Sequence, residues 1–357
     1  MPAPALLALV ASLVACLLST GPAGAAEPRD RLERFRELAA RRLALVEETG
    51  GRLDAEVQDE IEALLDAEVL ESLRSGGPFA SLEFIRDRLE AFADAWGGAS
   101  LRITSAGTGF LVGRFLLSAK GVGNSIRLYG RSDGVPALIE VWREDGVPEV
   151  FPWSSPRAGD TAGFLAAWSE SPTGWGSRPL RLTLWRVRGR ALSATWRSAV
   201  LYPDGLWASQ LAVKGDTVFI RYELRYPGWK PGCDVQSERE DTYRVEAATG
   251  RLTLVGRQLF NGWHRELQAA VTRFFAALEK RDTRELAGLV PAAGVRKKLP
   301  AGLGPETACD VHNPDMPRVA LVAASAPGEN GRRVPWTLWW GRAASGWRLS
   351  GAGPVLK

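Results

Sequence analysis

Apolar residues recur at helical spacing from residue 29 to residue 97. The last of these stripes consists of Leu82, Ile85, Leu89, Phe92 and Trp96. Intervals of three and four residues predict an amphipathic helix with one buried face. Gly50-Gly51 and Gly76-Gly77-Pro78 interrupt the pattern and mark helix ends. We therefore predict a segment of three helices over residues 29–97.

The middle helix of this segment is acidic on the side opposite its apolar stripe. Its carboxylates are Asp54, Glu56, Asp59, Glu60, Glu62, Asp66, Glu68 and Glu71. We interpret this side as a solvated face that the neighbouring arginine-rich helix partly neutralises. A cation-binding or partner-binding face is the alternative, although carboxylates at helical spacing do not converge on one ion as those of a calcium loop do.

Residues 100–261 alternate aromatic, β-branched and polar side chains between Gly, Pro, Asn and Asp turns. This alternation is typical of antiparallel strands, with clear examples at 180–187 and 216–225. We predict an antiparallel β domain that forms an irregular sheet or sandwich. Part of it, from residue 207 to residue 252, is propeller-like, but no repeat of about 40 residues supports a complete propeller.

Residues 262–357 return to a helical pattern and then to strands. Leu267, Val271, Phe274 and Leu278 share one helical face, and a second helix begins near Asp282 or Thr283. Two helices followed by strand-like runs, with the phrase FFAALEKRDTRELAGLV, resemble the opening of NTF2-like (cystatin-like cone) domains. The resemblance implies a C-terminal α+β domain. That fold serves enzymes, ligand binders and assembly modules, so it assigns no role to a residue here. The whole chain is predicted to be a multidomain α+β protein.

The N-terminus predicts export. An apolar run of 14 residues at 5–18 precedes Ala23-Gly24-Ala25, which fits a signal peptide over residues 1–25 that is removed in the mature protein. The run is shorter than the ~20 residues of a membrane-spanning helix. One feature of a signal peptide is missing, since no Lys or Arg precedes the run. Leu13-Val14-Ala15-Cys16 also resembles a lipobox, so a lipid anchor at Cys16 is the minority alternative. The predicted location is the periplasm, the cell surface or the medium.

Two of the three cysteines remain after cleavage, Cys233 and Cys309. An even number of cysteines in an oxidising compartment predicts a disulfide between them.

Charge is distributed unevenly along the chain. Residues 27–97 hold 18 acidic and 10 basic residues, whereas the remainder holds 35 basic and 23 acidic residues. A basic surface favours anionic partners. Because the chain is predicted to be exported, we expect an envelope glycan, an anionic polymer or an envelope protein, and no nucleic acid. Membrane contact is expected only if Cys16 is lipidated, and the oligomeric state is left open.

Familiar catalytic motifs do not occur in the sequence. There is no Gly-x-Ser-x-Gly, no phosphate-binding Gly-x4-Gly-Lys and no His-Glu-x-x-His. His264 and His312 are the two histidines. Candidate metal ligands cluster at Cys309, Asp310, His312 and Asp315, but their irregular spacing is common in loops. We therefore predict no metal and no cofactor, and the catalytic residues of any enzyme stay unknown.

The most distinctive loop is 225–233, where two Pro-Gly turns flank Trp229 and Lys230. A loop tryptophan beside a cation can form a platform for a sugar ring or another amphipathic ligand. Tyr226, Trp229 and Lys230 are the predicted ligand-binding residues. Alternatively, Trp229 folds back on the core and Cys233 pins the loop.

Three functions remain open. The first is an exported, non-catalytic envelope protein that presents a basic, tryptophan-bearing surface to a glycan, an anionic ligand or a protein partner. The second is an exported hydrolase of envelope or extracellular polymer. Its carboxylates would come from Glu140, Glu144, Asp145, Glu223, Glu240 and Asp241. The third is a structural module that assembles through its acidic N-terminal helices. The missing catalytic motifs favour the first.

Overall fold

The structure, a computed structural model, describes most of the chain after residue 27. The described residues are 28–48, 55–118, 123–154, 162–172, 176–188, 191–246, 249–312, 318–328 and 331–355. The predicted signal peptide, the lipidation candidate Cys16 and the metal-ligand candidate Asp315 lie outside them.

The described residues form helices and antiparallel sheets, which confirms the predicted α+β class. The helices are α1 (Pro28–Glu48), α2 (Ala55–Ser75), α3 (Leu82–Trp96), α4 (Ser198–Leu201), α5 (Gly262–Lys280), α6 (Thr283–Leu289) and α7 (Ala293–Lys298), with a 3-10 turn at Gly77–Ala80. The first strands are β1 (Ser100–Ser105), β2 (Leu111–Leu116), β3 (Ser125–Ser132) and β4 (Val135–Trp142). The next are β5 (Val147–Ser154), β6 (Ala162–Ser169), β7 (Arg178–Arg188), β8 (Ala191–Arg197), β9 (Trp207–Lys214), β10 (Thr217–Glu223), β11 (Glu238–Glu246) and β12 (Arg251–Phe260). The last are β13 (Gly304–Pro305), β14 (Val311–His312), β15 (Val319–Pro327), β16 (Arg333–Ala343) and β17 (Gly346–Pro354).

Helices α1 to α3 cover one face of the sheet β1-β2-β3-β4. Ser81 caps α3, because its Oγ accepts a hydrogen bond from the amide of Phe84 at 3.2 Å. The predicted stripe of α3 is buried against Leu101, Ile103 and Phe115 of the first two strands. An apolar helix face requires such a cover, so the helical segment shares its core with the first strands of the β region.

The acidic side of α2 belongs to this interface, so its interpretation as a solvated face is wrong for the residues at the interface. Glu62 and Glu68 are only 2% and 4% exposed. Arg127 on β3 pairs with Glu62 at 2.8 Å and with Asp66 at 2.6 Å. Arg31 of α1 pairs with Glu68 at 3.3 Å, which confirms neutralisation by the arginine-rich helix. These carboxylates can be buried because each has a cationic partner.

The second sheet has eight strands in the order β12-β11-β10-β9-β7-β6-β5, with β8 paired to β7. All eight residues of β6 are buried. Phe164 and Trp168 contact the first sheet, whereas Leu165 and Ala167 belong to the core on the opposite side. A strand that is buried on both faces has no reason to alternate apolar and polar residues, which explains its continuous apolar sequence.

The C-terminal part packs α5 to α7 on a five-stranded sheet in which β15 and β16 are central and β17 is an edge strand. Phe274 of α5 lies edge to face with Trp340 of β16, with ring centroids 5.7 Å apart. Asp282 caps α6 by accepting the amides of Arg284 and Glu285, so the predicted helix start is confirmed. Among the described helices, none is long and apolar enough to cross a membrane.

Candidate functional site

The predicted ligand loop connects β10 to β11 and is fixed to the C-terminal part. Cys233 and Cys309 form a disulfide with a Cα–Cα distance of 5.4 Å, which confirms the predicted pairing. Lys230 reinforces this link, since its Nζ lies 3.1 Å from Asp310 Oδ1 and donates to the carbonyl of Ala308. The loop is therefore held at both its cysteine and its lysine.

Tyr226, the first predicted ligand residue, lies in a hydrogen-bonded chain with buried groups. Its hydroxyl is 2.5 Å from His264 Nδ1 and accepts the amide of Ser237 at 3.1 Å. On the other side of the ring, His264 Nε2 lies 3.1 Å from Asp310 Oδ2, which Gln268 also contacts. We call Tyr226, Lys230, His264, Gln268 and Asp310 the clamp.

The hydrogen bonds of the clamp are mutually consistent. The tautomer of His264 with its proton on Nε2 donates to Asp310 and accepts from the hydroxyl of Tyr226. Burial raises the pKa of Tyr226, so its hydroxyl keeps its proton. The Asp310 carboxylate, whose side chain is 1% exposed, accepts from three side chains. This geometry fixes the loop.

Trp229 contacts a cation of its own loop. The guanidinium of Arg225 lies 5.1 Å from the Trp229 ring centroid and 4.8 Å from that of Trp207. The Trp229 indole Nε1 is buried without a hydrogen-bond partner among the described residues. The structure thus brings Tyr226 and Lys230 together in the clamp and places Trp229 against Arg225.

The candidate metal ligands have other contacts. Cys309 is in the disulfide, Asp310 is in the clamp, and His312 stacks on Trp263 with ring centroids 4.4 Å apart. Within the described part of the chain, no group of three or more potential ligands is arranged to hold a metal ion.

The candidate hydrolase carboxylates are spread over two sheets. Glu140 lies on β4, Glu144 and Asp145 follow it, Glu223 lies on β10, and Glu240 and Asp241 lie on β11. Burial acts to raise the pKa of Asp241, but a hydrogen bond from Arg257 and the charge of Arg239 outweigh it. The pKa therefore falls below its ordinary value of 3.8, which suits a permanent anion rather than a general acid.

A groove of about 760 Å³ lies between α3, the β1–β2 hairpin and β5. Its charged lining consists of Arg86, Arg102, Arg114, Glu90, Asp94 and Glu149. Apolar atoms of β5, from Val150 to Pro152, form part of its wall. Volume and mixed lining are those of sites that hold small organic ligands.

Two arginines face each other across the hairpin in this groove. Arg102 of β1 is the register partner of Arg114 of β2, and like charges directly opposite each other destabilise a sheet. Arg114 donates one hydrogen bond to Ser100 Oγ at 2.6 Å, whereas its buried Nε has no partner among the described residues. Burial lowers the pKa of Arg114, and the charge of Arg102 lowers it further despite the opposing influence of Glu149.

The other charged groups of the groove form no ion pair among the described residues, and Glu149 acts on Arg114 only through its charge. Arg86 donates to the carbonyl of Ile103 at 3.1 Å, but neither Arg86 nor Arg102 forms an ion pair with any described residue. The carboxylates of Glu90, Asp94 and Glu149 likewise make no hydrogen bond within the described residues. The groove therefore presents several donors and acceptors that are unpaired among the described residues.

This groove is not evident from the sequence pattern, although one signal is present. Arg102 and Arg114 are the same number of residues away from Thr108 in sequence. Thr108 lies between two glycines, and both adopt positive φ. A hairpin centred on that turn places the two arginines opposite each other. The contribution of β5 could not be inferred, because it depends on how the second sheet packs.

Fold and groove together define an α+β protein with an arginine-lined groove beside its helical layer. Comparison with protein-family models, curated proteins and solved structures finds no match to the chain.

Proposed function

We propose that this protein is an exported, non-catalytic envelope protein whose arginine-lined groove binds an anionic ligand. The observation that carries the proposal is the opposed pair Arg102 and Arg114, which has no ion-pair partner among the described residues. An anion bound between two guanidinium groups would relieve their repulsion and form charge-assisted hydrogen bonds.

Export is supported by the leader pattern and by the disulfide. The Cys233–Cys309 bond is compatible with an oxidising compartment outside the cytosol. A lipid anchor at Cys16 would hold the same groove at a membrane surface. We also propose that residues 262–354, in which three helices precede five strands, form an NTF2-like domain, a fold that includes binding and assembly modules.

Two alternatives have different support. The carboxylates Glu90, Asp94 and Glu149 in the groove keep an exported hydrolase as a second candidate. Assembly through the acidic helix is less favoured, because Arg31 and Arg127 already use acidic side chains of α2.

The test is calorimetric titration of the leader-free chain with anionic envelope polymers at increasing salt. We expect saturable binding that weakens with salt and falls more than tenfold in Arg114→Met. Arg188→Met is the matched control, since Arg188 is exposed on β7, outside the groove, and loses the same charge. Equal losses in both variants would show that only net charge matters. Absence of binding to every polymer would refute the proposal, and shortening of the polymer would favour the hydrolase.

A further inference from the structure

We infer that the groove recognises a carboxylate-bearing glycan, a chain of hexuronic acid residues, rather than a phosphate polymer. This inference rests on the proposed anion-binding function. It begins from the fact that the groove contains as many carboxylates as arginines. A purely cationic site would accept any polyanion, whereas this groove offers a second kind of group.

The arginines Arg102 and Arg114 are placed to bind a single carboxylate of the ligand between them. Arg102 and Arg114 lie opposite each other, and a guanidinium matches a carboxylate in planar, bidentate geometry. Glu149 is close enough to influence the pKa of Arg114. The negative charge of Glu149 would repel a polyphosphate bound beside Arg114, because every phosphate carries a charge. A glycan with one charge per sugar residue would be repelled less.

The exposed carboxylates of the groove can accept hydrogen bonds from a ligand. Arg86, Glu90 and Asp94 follow one another at intervals of four residues on α3, so they form one row along the groove wall. This row is about 12 Å long at the rise of an α-helix. Ionised carboxylates only accept hydrogen bonds. Sugar hydroxyls donate them, whereas the internal phosphates of a polyphosphate carry no proton at neutral pH and cannot.

The wall opposite α3 suits the apolar face of a sugar ring. Val150, Phe151 and Pro152 of β5 line the groove. Ligand sites combine such apolar surface with a few placed polar groups. Cationic, anionic and apolar parts of the groove thus correspond to the carboxylate, the hydroxyls and the C–H face of one hexuronic acid.

The experiment compares three classes of probe on the leader-free chain by calorimetry. The probes are short oligomers of galacturonate, mannuronate and glucuronate, their neutral methyl esters, and tripolyphosphate. We expect at least one hexuronate oligomer to bind, its ester to bind at least tenfold more weakly, and tripolyphosphate to bind more weakly than the hexuronate.

Two variants separate the roles of the charges. Arg102→Met should weaken hexuronate binding more than tenfold. Glu90→Gln should weaken hexuronate binding but strengthen tripolyphosphate binding, because it removes an acceptor and a repulsive charge. If tripolyphosphate binds more tightly than every hexuronate, the glycan inference is wrong while anion binding stands. If no probe binds, both the inference and the proposed function fail.

Discussion

The clamp and the arginine-lined groove are both clusters of charged and polar side chains, but they differ in how their groups are satisfied. In the clamp, Asp310 accepts from Lys230, His264 and Gln268. In the groove, Arg102 faces Arg114 without an ion-pair partner among the described residues.

The two clusters therefore differ in what they contribute to the stability of the fold. Buried polar groups that are fully paired stabilise and rigidify a fold. A like-charge pair works against folding, and under the proposed function a bound anion would offset this cost. The sequence pattern predicted ligand binding in the 225–233 loop, but Tyr226 and Lys230 belong to the clamp and Trp229 lies against Arg225.

The largest expected effect comes from breaking the clamp. Asp310→Ala leaves the Lys230 ammonium and two other donors without their acceptor, and removing one partner of a buried charge pair costs about 3–5 kcal/mol. We expect the free energy of unfolding in urea to fall by that amount. Ligand affinity at the groove should stay unchanged in the folded protein. A loss below about 1 kcal/mol would contradict the structural role.

Removing the disulfide breaks the same connection between the 225–233 loop and the C-terminal part. We expect a slightly smaller loss in the free energy of unfolding. Its cysteines are 76 residues apart in sequence, so the bond restricts a long loop of the unfolded chain. The double variant Cys233→Ser/Cys309→Ser should lower the free energy of unfolding by about 2–4 kcal/mol. The wild type under reducing conditions is the matched comparison. An unchanged unfolding midpoint in both would show that the clamp alone holds the loop.

Local patterns predicted part of this architecture. The helical stripes gave α1 to α3 and α5, the parity of cysteines gave the disulfide, and Asp282 was recognisable as a helix cap. These features depend on neighbours in sequence or on the redox compartment. The burial of Glu62 by Arg127 could not be predicted, because the two residues meet only when α2 packs on β3. The groove likewise requires two sheets and a helix to be in place.

Acid should weaken the interface between α2 and β3. Burial acts to raise the pKa of Glu62, but a hydrogen bond from Arg143 and the charge of Arg127 lower it below 4.5. Since the folded pKa is the lower one, this stabilisation is present above about pH 4.5 and is lost as pH falls through the folded pKa.

Glu62→Gln tests this pH dependence. The substitution should lower the free energy of unfolding at pH 7 by about 1–3 kcal/mol, because the amide cannot replace the charged hydrogen bonds. The difference from the wild type should shrink below pH 4.5. A difference that is the same at pH 7 and pH 3 would show that the ionised form of Glu62 contributes nothing.

The smallest expected effect has the opposite sign and distinguishes the two regions most directly. Arg102→Met removes one of two opposed charges, so it should raise the free energy of unfolding by about 0.2–1 kcal/mol. Arg188→Met, at an exposed position outside the groove, should leave it unchanged. Chemical denaturation of both variants at low and high salt measures the difference, and salt should reduce it by screening the repulsion. A loss of stability in Arg102→Met would place Arg102 among the structural charges with Arg127. A gain, together with weaker ligand binding, would mean that the hairpin keeps an unfavourable pair of charges because the ligand requires it.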